Sequence, residues 1–360
     1  MPASQTPDSP RTLAELGEDA ILDRLTRAFG PLAGTGGALM LGIGDDAAVL
    51  RADSGQLVIT TDTLTEDQDF RPGWFSTPES YGESVGHQAV VQNLSDIVAM
   101  GAHPTAVLLS LVLPPELDAD WVDGFGAGVA AALSAAGADL RVAGGDLGAG
   151  PSVSVSVTAL GEAPGSLLRR DSAQPADVLA VGPSSPGAAR SPLGSAAAGL
   201  ALLEAGMLAS EVQRPYLAAQ LYPSIDVSAG VRALAAGAHA GLDVSDGLLR
   251  DTVRLASASG VVIDVESEAL RAMVTELEPL AVALGAQEAE AARAQAWGWL
   301  LSGGEDYVLL ASFPAEAELP SGFTRLGTVH GAAAEAPGTV LLDGADPAAV
   351  LKGTGWDSLR

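Results

Sequence analysis

Apolar positions recur at helical spacing over residues 13–29, where Leu13, Leu16, Ala20, Ile21, Leu25 and Ala28 fall on one side, and that period predicts a helix. The β-branched run 57–63 alternates instead, placing Val58, Thr60 and Asp62 on one face of a strand with Asp62 near its C-terminal end. A helix over 81–100 puts Asn93, Asp96 and Met100 on one face, and Gly101 with Pro104 beyond supplies the stop. Strands follow at 106–113, 139–143 and 153–160, with a helix through 121–136 and a Gly-Gly-Asp turn after the second strand. The order β, α, β, α, β, β is that of an α/β or α+β domain.

A linker-like stretch at 162–170 separates this half from a second one, and the boundary is expected near residue 165. The second half reads as a strand at 178–181, a loop rich in Pro, Ser and Gly at 182–195 and a helix at 195–205. A long alanine-rich helix around 226–240, a helix at 247–259 and strands at 261–265 and 307–313 follow. The expected organisation is a disordered tail at 1–14, an N-terminal domain at 15–165 and a C-terminal domain at 166–360. The chain has 360 residues, 48% of them hydrophobic, which is enough material for two cores.

Charge narrows the partners. A formal net charge of -27 argues against a sequence-independent grip on nucleic acid or on an anionic membrane, both of which need a basic surface. Anionic substrates must then arrive with metal. With no cysteine, thiolate zinc sites, disulfides and cysteine nucleophiles are excluded. The start, MPASQTPDSP, has neither the basic nor the apolar region of a secretion signal, and no apolar run is long enough to cross a bilayer. A cytoplasmic location is expected.

Six acidic motifs then stand out at glycines or element ends: GIGDD at 42–46, TTDT at 60–63, NLSD at 93–96, GGD at 144–146, DVSDG at 243–247 and GGED at 303–306. Two carboxylates about 4 Å apart repel by roughly 4 kcal/mol at a protein surface. Several can converge only if their pKa values rise or cations sit between them. Magnesium suits such a set, being a hard ion that takes one or two carboxylates plus waters and phosphate oxygens. Each motif alone has a plainer reading as a solvated turn. Ser245 and Asp246 also fit a helix cap, which leaves Asp243 unexplained. Jointly the motifs favour one shared site for a magnesium-nucleotide enzyme, with acids from both halves gathered around cations. No GxxxxGK[ST] loop and no kinase HRD or DFG set occurs, and His87, His103, His239 and His330 lack ligand spacing.

GIGDDAAVL, TTDTL, NLSDIVAMGAHP, GGD, the stretch from Arg170 to Asp177, DVSDGL, SGGEDY and the terminal GW together resemble bacterial thiamine-monophosphate kinase over about residues 15–357. The resemblance implies a two-domain aminoimidazole ribonucleotide synthetase-like fold. Its N-terminal domain would form a dimeric β-barrel, with a C-terminal α/β domain beside it. It further implies transfer of the γ-phosphoryl group of ATP to thiamine monophosphate, several Mg²⁺ ions and a homodimer. By the same resemblance, metal contacts fall to Asp46, Thr60, Thr61, Asp62, Asp96, Asp146, Asp243 and Asp246. Nucleotide contacts fall to Gly145, Asp146, Arg170 and Ser245, and substrate contacts to Asp69, Glu305 and Trp356. No covalent enzyme intermediate is required, so no nucleophile is assigned.

Three departures from the family pattern stand out. Asp69 replaces a histidine expected to touch the substrate, Leu147 removes a hydroxyl, and the chain ends SLR where the family has HF after the aromatic. The sister enzymes selenophosphate synthetase and the carbamoyl dehydratase of hydrogenase maturation rely on cysteine or selenocysteine. Aminoimidazole ribonucleotide synthetase fits NLSD and SGGEDY poorly. The rival from another class is a nucleotide- or metal-binding regulator that has lost turnover.

Overall fold

A computed structural model describes residues 12–41, 43, 48–51, 56–137, 139–163, 165–185, 192–207, 210–332 and 336–347. The chain forms two compact units. The first comprises Met1–Ala52, Thr61–Asn93 and Thr105–Ala159, and the second Asp53–Thr60, Leu94–Pro104 and Leu160–Arg360.

Helices α1 (Leu13–Leu16) and α2 (Glu18–Phe29) replace the single helix expected over 13–29. Gly17 parts them at φ 76°, a left-handed backbone that a helix cannot contain. A two-stranded ribbon follows, β1 (Leu39–Leu41) against β2 (Val49–Leu50). Strand β3 (Gln56–Thr65), helix α3 (Pro78–Ala99), strand β4 (His103–Leu113), helix α4 (Asp120–Ala136), strand β5 (Arg141–Ala149) and strand β6 (Ser154–Ala163) then alternate as the hydrophobic pattern predicts. The strands form one open sheet in the order β3-β6-β4-β5.

The Gly-Gly-Asp turn is a misreading. Gly144, Gly145 and Asp146 lie inside β5, paired in parallel with Leu108, Leu109 and Ser110 of β4. A Cβ on Gly145 would sit 2.0 Å from the Leu109 carbonyl oxygen, so glycine here marks close backbone approach within a sheet.

Helices α3 and α4 approach closely by the same device. Side chains added at Gly82 and Gly124 would each meet opposing backbone oxygen at 2.0 Å, those of Trp121 and Glu79 respectively. Around that contact Trp121 and Phe125 stack at 5.1 Å, and Tyr81 meets Trp121 edge-on at 5.9 Å. The buried aromatic group anchors the first unit.

In the second unit β7 (Val178–Val181), β8 (Ala240–Asp243), β9 (Val261–Val265), β10 (Leu309–Phe313), β11 (Thr324–Gly331) and β12 (Val340–Leu342) make a sheet ordered β12-β9-β11-β7-β10-β8. Helices α5 (Ser195–Glu204), α6 (Arg214–Leu221), α7 (Ala229–Ala235), α8 (Leu248–Ser259), α9 (Ser267–Ala283) and α10 (Ala289–Ser302) complete it. The long helix expected around 226–240 shrinks to α7, because Gly237 at φ 85° stops it and β8 begins at Ala240. One core of this unit joins Leu168, Ala180, Leu309, Ala311 and Phe313 to Ala229 and Ala233.

Candidate active site

Asp243 closes β8 and is almost completely buried. Its Oδ2 accepts a 2.8 Å hydrogen bond from Ser95 Oγ, and Thr60 Oγ1 donates to Asp96 Oδ2 at 2.5 Å. Burial drives the Asp243 carboxyl well above the ordinary aspartate range, and the Asp96 carboxylate pushes it further up. The Ser95 hydroxyl and the positive charge of Arg170 pull the other way without cancelling the rise. A buried carboxyl whose pKa is raised by a neighbouring carboxylate is one that a cation placed between the two acids would relieve.

The loop after β8 is held from below. Asp251, fully buried in the first turn of α8, accepts the backbone N–H groups of Ser245 and Asp246 through one oxygen at 3.0 and 2.9 Å. Its other oxygen takes Arg254 Nη1 at 2.6 Å, and the second amino group of Arg254 grips Asp246 Oδ2. The SGGED segment packs on this loop, with Glu305 N donating to Ser245 O at 2.8 Å and Tyr307 N to Val244 O at 2.9 Å. Glu305 and Tyr307 both sit at positive φ, 65° and 47°, and non-glycine residues hold that conformation only where surroundings impose it. Gln220 of α6 donates to the Glu305 carboxylate and so fixes its direction.

Asp306 turns away from Glu305. Its Oδ2 accepts Gly194 N–H at 2.8 Å and its Oδ1 the Ala196 N–H at 3.5 Å, so it caps α5. A small cleft bordered by Ser95, Val98, Asp226, Asp243, Tyr307 and Leu309 opens at the buried end of β8.

Other expected site residues lie in the first unit. Asn93 accepts the Asp62 backbone N–H at 2.9 Å through its side chain, so it positions β3 rather than offering itself as a ligand. Thr61 points to the opposite face of β3, where its hydroxyl donates to Val157 O at 2.9 Å. Asp69 accepts the Thr65 N–H at 2.7 Å and closes the turn after β3, an occupation that explains a carboxylate in this place. Asp146 is exposed on β5. Asp46 and Trp356 lie outside the described residues. Among the described residues no three His, Asp or Glu side chains stand together closely enough to hold a metal unaided. Sequence reasoning passed over Ser95, Gln220, Asp251 and Arg254. Asp251 alone left a clear signal, as an acid in the first turn of an amphipathic helix.

Residues 44–163 match the family of AIR synthase related protein, N-terminal domain. Thiamine-monophosphate kinase of Mycobacterium tuberculosis (strain CDC 1551 / Oshkosh) is 38% identical over 335 residues, 92% of this chain and 90% of that protein. The chain belongs to the thiamine-monophosphate kinase family. Among solved structures, AaThiL complexed with AMPPCP and TMP superposes with a TM-score of 0.70 at 29% identity, covering 95% of this chain and 97% of that one. The thiamine-monophosphate kinase of Stenotrophomonas maltophilia K279a gives 0.69 at 32% identity, covering 90% and 96%. The fold of these kinases is accordingly that of the AIR synthase group, with mixed sheets flanked by helices. Among the described residues the four-stranded sheet stays open, not closed into the expected barrel.

Proposed function

We propose that this chain transfers the terminal phosphoryl group of ATP to thiamine monophosphate, yielding thiamine diphosphate and ADP. The observation that carries this reading is identity to a thiamine-monophosphate kinase across nine-tenths of both chains, 92% and 90%. AaThiL complexed with AMPPCP, an ATP analogue, and TMP supports the substrate pair. An oxygen of the acceptor phosphate attacks the γ-phosphorus as the bond to the β-phosphate oxygen breaks, and ADP leaves with that electron pair. The acceptor oxygen is already ionised, so no general base is required.

The protein's task is therefore to position two anions and cancel their repulsion. Magnesium, when bound, supplies that charge cancellation. The donor set fits a hard cation, because Asp243 and Asp96 crowd their charges at a buried point beside the Thr60 hydroxyl. We assign metal contacts to Asp46, Thr60, Asp62, Asp96, Asp146, Asp243 and Asp246, joined by Thr61 only if its hydroxyl leaves Val157 O on the opposite face of the strand, and nucleotide contacts to Gly145, Asp146, Arg170 and Ser245. Glu305, aimed by Gln220, would face the cationic ring of the thiamine moiety, and Trp356 would cover a ring face. Asp69 belongs with the substrate contacts only if it leaves its bond to Thr65.

The active form would be a homodimer. Strand β4 exposes Leu108 and Val112 at alternate positions, on the side opposite its buried residues, and apolar residues exposed on a sheet face call for a covering partner. A second copy on this face would close the barrel. We place the enzyme in the cytoplasm; no helix among the described residues is long and apolar enough to cross a membrane.

The test is a coupled ADP-release assay with thiamine monophosphate, with thiamine diphosphate identified directly. Both products should appear in equal amounts and only with a divalent cation. ATP binding without either product would leave a nucleotide-binding regulator instead.

A further inference from the structure

Asp246 is assigned to a metal, yet it already has a cation. Arg254, in the second turn of α8, places one amino group on Asp246 Oδ2 and the other on Asp251 Oδ1 at 2.6 Å. Arg250 adds a second guanidinium at 4.0 Å from the same Asp246 oxygen. The Arg254 side chain is about one-third exposed and that of Asp246 about one-quarter, so the pair is partly shielded from solvent and its charge is not fully screened. Two effects compete at this carboxylate. The guanidinium orients it, which would help a metal find Oδ1. It also cancels its charge and repels any ion that approaches, and for a divalent ion that repulsion is doubled.

Orientation does not depend on Arg254 alone, because Asp251 independently holds the loop through the backbone of Ser245 and Asp246. Repulsion is thus the larger consequence of the arginine. We propose that Arg254 is a resident counter-cation for Asp246, which keeps a divalent ion off this loop until a polyphosphate supplies the compensating negative charge. The metal at Asp246 would then enter with nucleotide rather than before it. This rests on the assignment of Asp246 as a metal contact.

The test is Mn²⁺ titration of the full chain by calorimetry, with and without AMPPCP. Arg254→Gln should bind Mn²⁺ in the absence of nucleotide about tenfold more tightly than the wild type, the size of effect one screened charge produces. Arg254→Lys, which keeps the charge, should stay within about twofold of the wild type. Arg254→Met repeats the neutral case should the glutamine variant prove unstable. Unchanged or weaker Mn²⁺ binding in the neutral variants would overturn the proposal, and so would a lysine variant that gains as much as they do. Asp246→Asn separates the counter-cation from the metal assignment. If it abolishes the gain of Arg254→Gln, both stand. If the double variant keeps the gain, Asp246 is not where the ion goes and the metal assignment fails. If Arg254→Gln gains nothing while Asp246→Asn alone weakens metal binding in the presence of AMPPCP, the assignment survives and the counter-cation does not.

Discussion

Asp306 follows Glu305 in the chain, yet the two carboxylates serve different ends. Glu305 is aimed by Gln220, whereas Asp306 is buried and caps α5. Burial pushes the Asp306 carboxyl up to about 8 despite the lowering effect of the Gly194 and Ala196 N–H groups, and the Glu305 charge adds to the rise. The ordinary value, which the unfolded chain would show, is 3.8. Between these values the folded state keeps a proton that the unfolded state has released, so this group's contribution to stability falls as pH rises from about 4 to 8. Asp306→Asn removes the titration and retains an acceptor for Gly194. Thermal unfolding at constant ionic strength should show wild-type Tm falling relative to the variant across that window by at least about 2 °C. Parallel curves would mean the carboxylate is not protonated there. The GGED motif told of acids beside a strand but not that one of them points into a helix end, because which neighbour a side chain meets is settled by tertiary packing. Asp251 is the same case: its place in DVSDGLLRD is plain, and its grip on two backbone N–H groups is not.

Helix α4 carries three glycines in five residues, Gly124, Gly126 and Gly128, a composition that propensity alone would count against a helix. Packing outweighs propensity here, because Gly124 lets α3 come so near that a Cβ would lie 2.0 Å from the Glu79 carbonyl oxygen. Gly124→Ala should therefore destabilise the protein by about 2–4 kcal/mol, the overpacking cost exceeding the roughly 1 kcal/mol of helix propensity gained. Gly298→Ala in α10 meets nothing within 4 Å and should stabilise by about 0.5–1 kcal/mol. Denaturant unfolding of the two variants decides it, and shifts of the same sign would refute the packing argument. The strong patterns in α4, β4 and β6 were legible in the sequence because each sets a buried side against a more open one. Helix α9 was equally legible, with Leu270, Met273, Val274 and Leu277 at helical spacing, but was passed over. Helix α10 offers almost no apolar stripe to find, and β5 was cut short because its glycines mimic a turn.

At the scale of the molecule, β4 leaves Leu108 and Val112 each 37% exposed on one side of the strand. Val112→Asp puts a charge where a second copy would bury it, and should convert a dimer to a monomer at micromolar concentration in sedimentation velocity. A variant that stays dimeric would move the interface elsewhere. Family kinship reads the whole chain at once and needed only the motifs. The proposed barrel and dimer would need a second copy, which no single sequence displays.

Glu305 and Tyr307 hold left-handed backbone without being glycine, and each such residue costs on the order of 1 kcal/mol or more. A lineage selected for heat resistance would find ready gains here, since Gly or Asn at either place relaxes the bend. At Tyr307 the change would slacken the segment that holds the Glu305 carboxylate, and at Glu305 it would remove that carboxylate outright, so endurance and the proposed turnover pull this stretch in opposite directions.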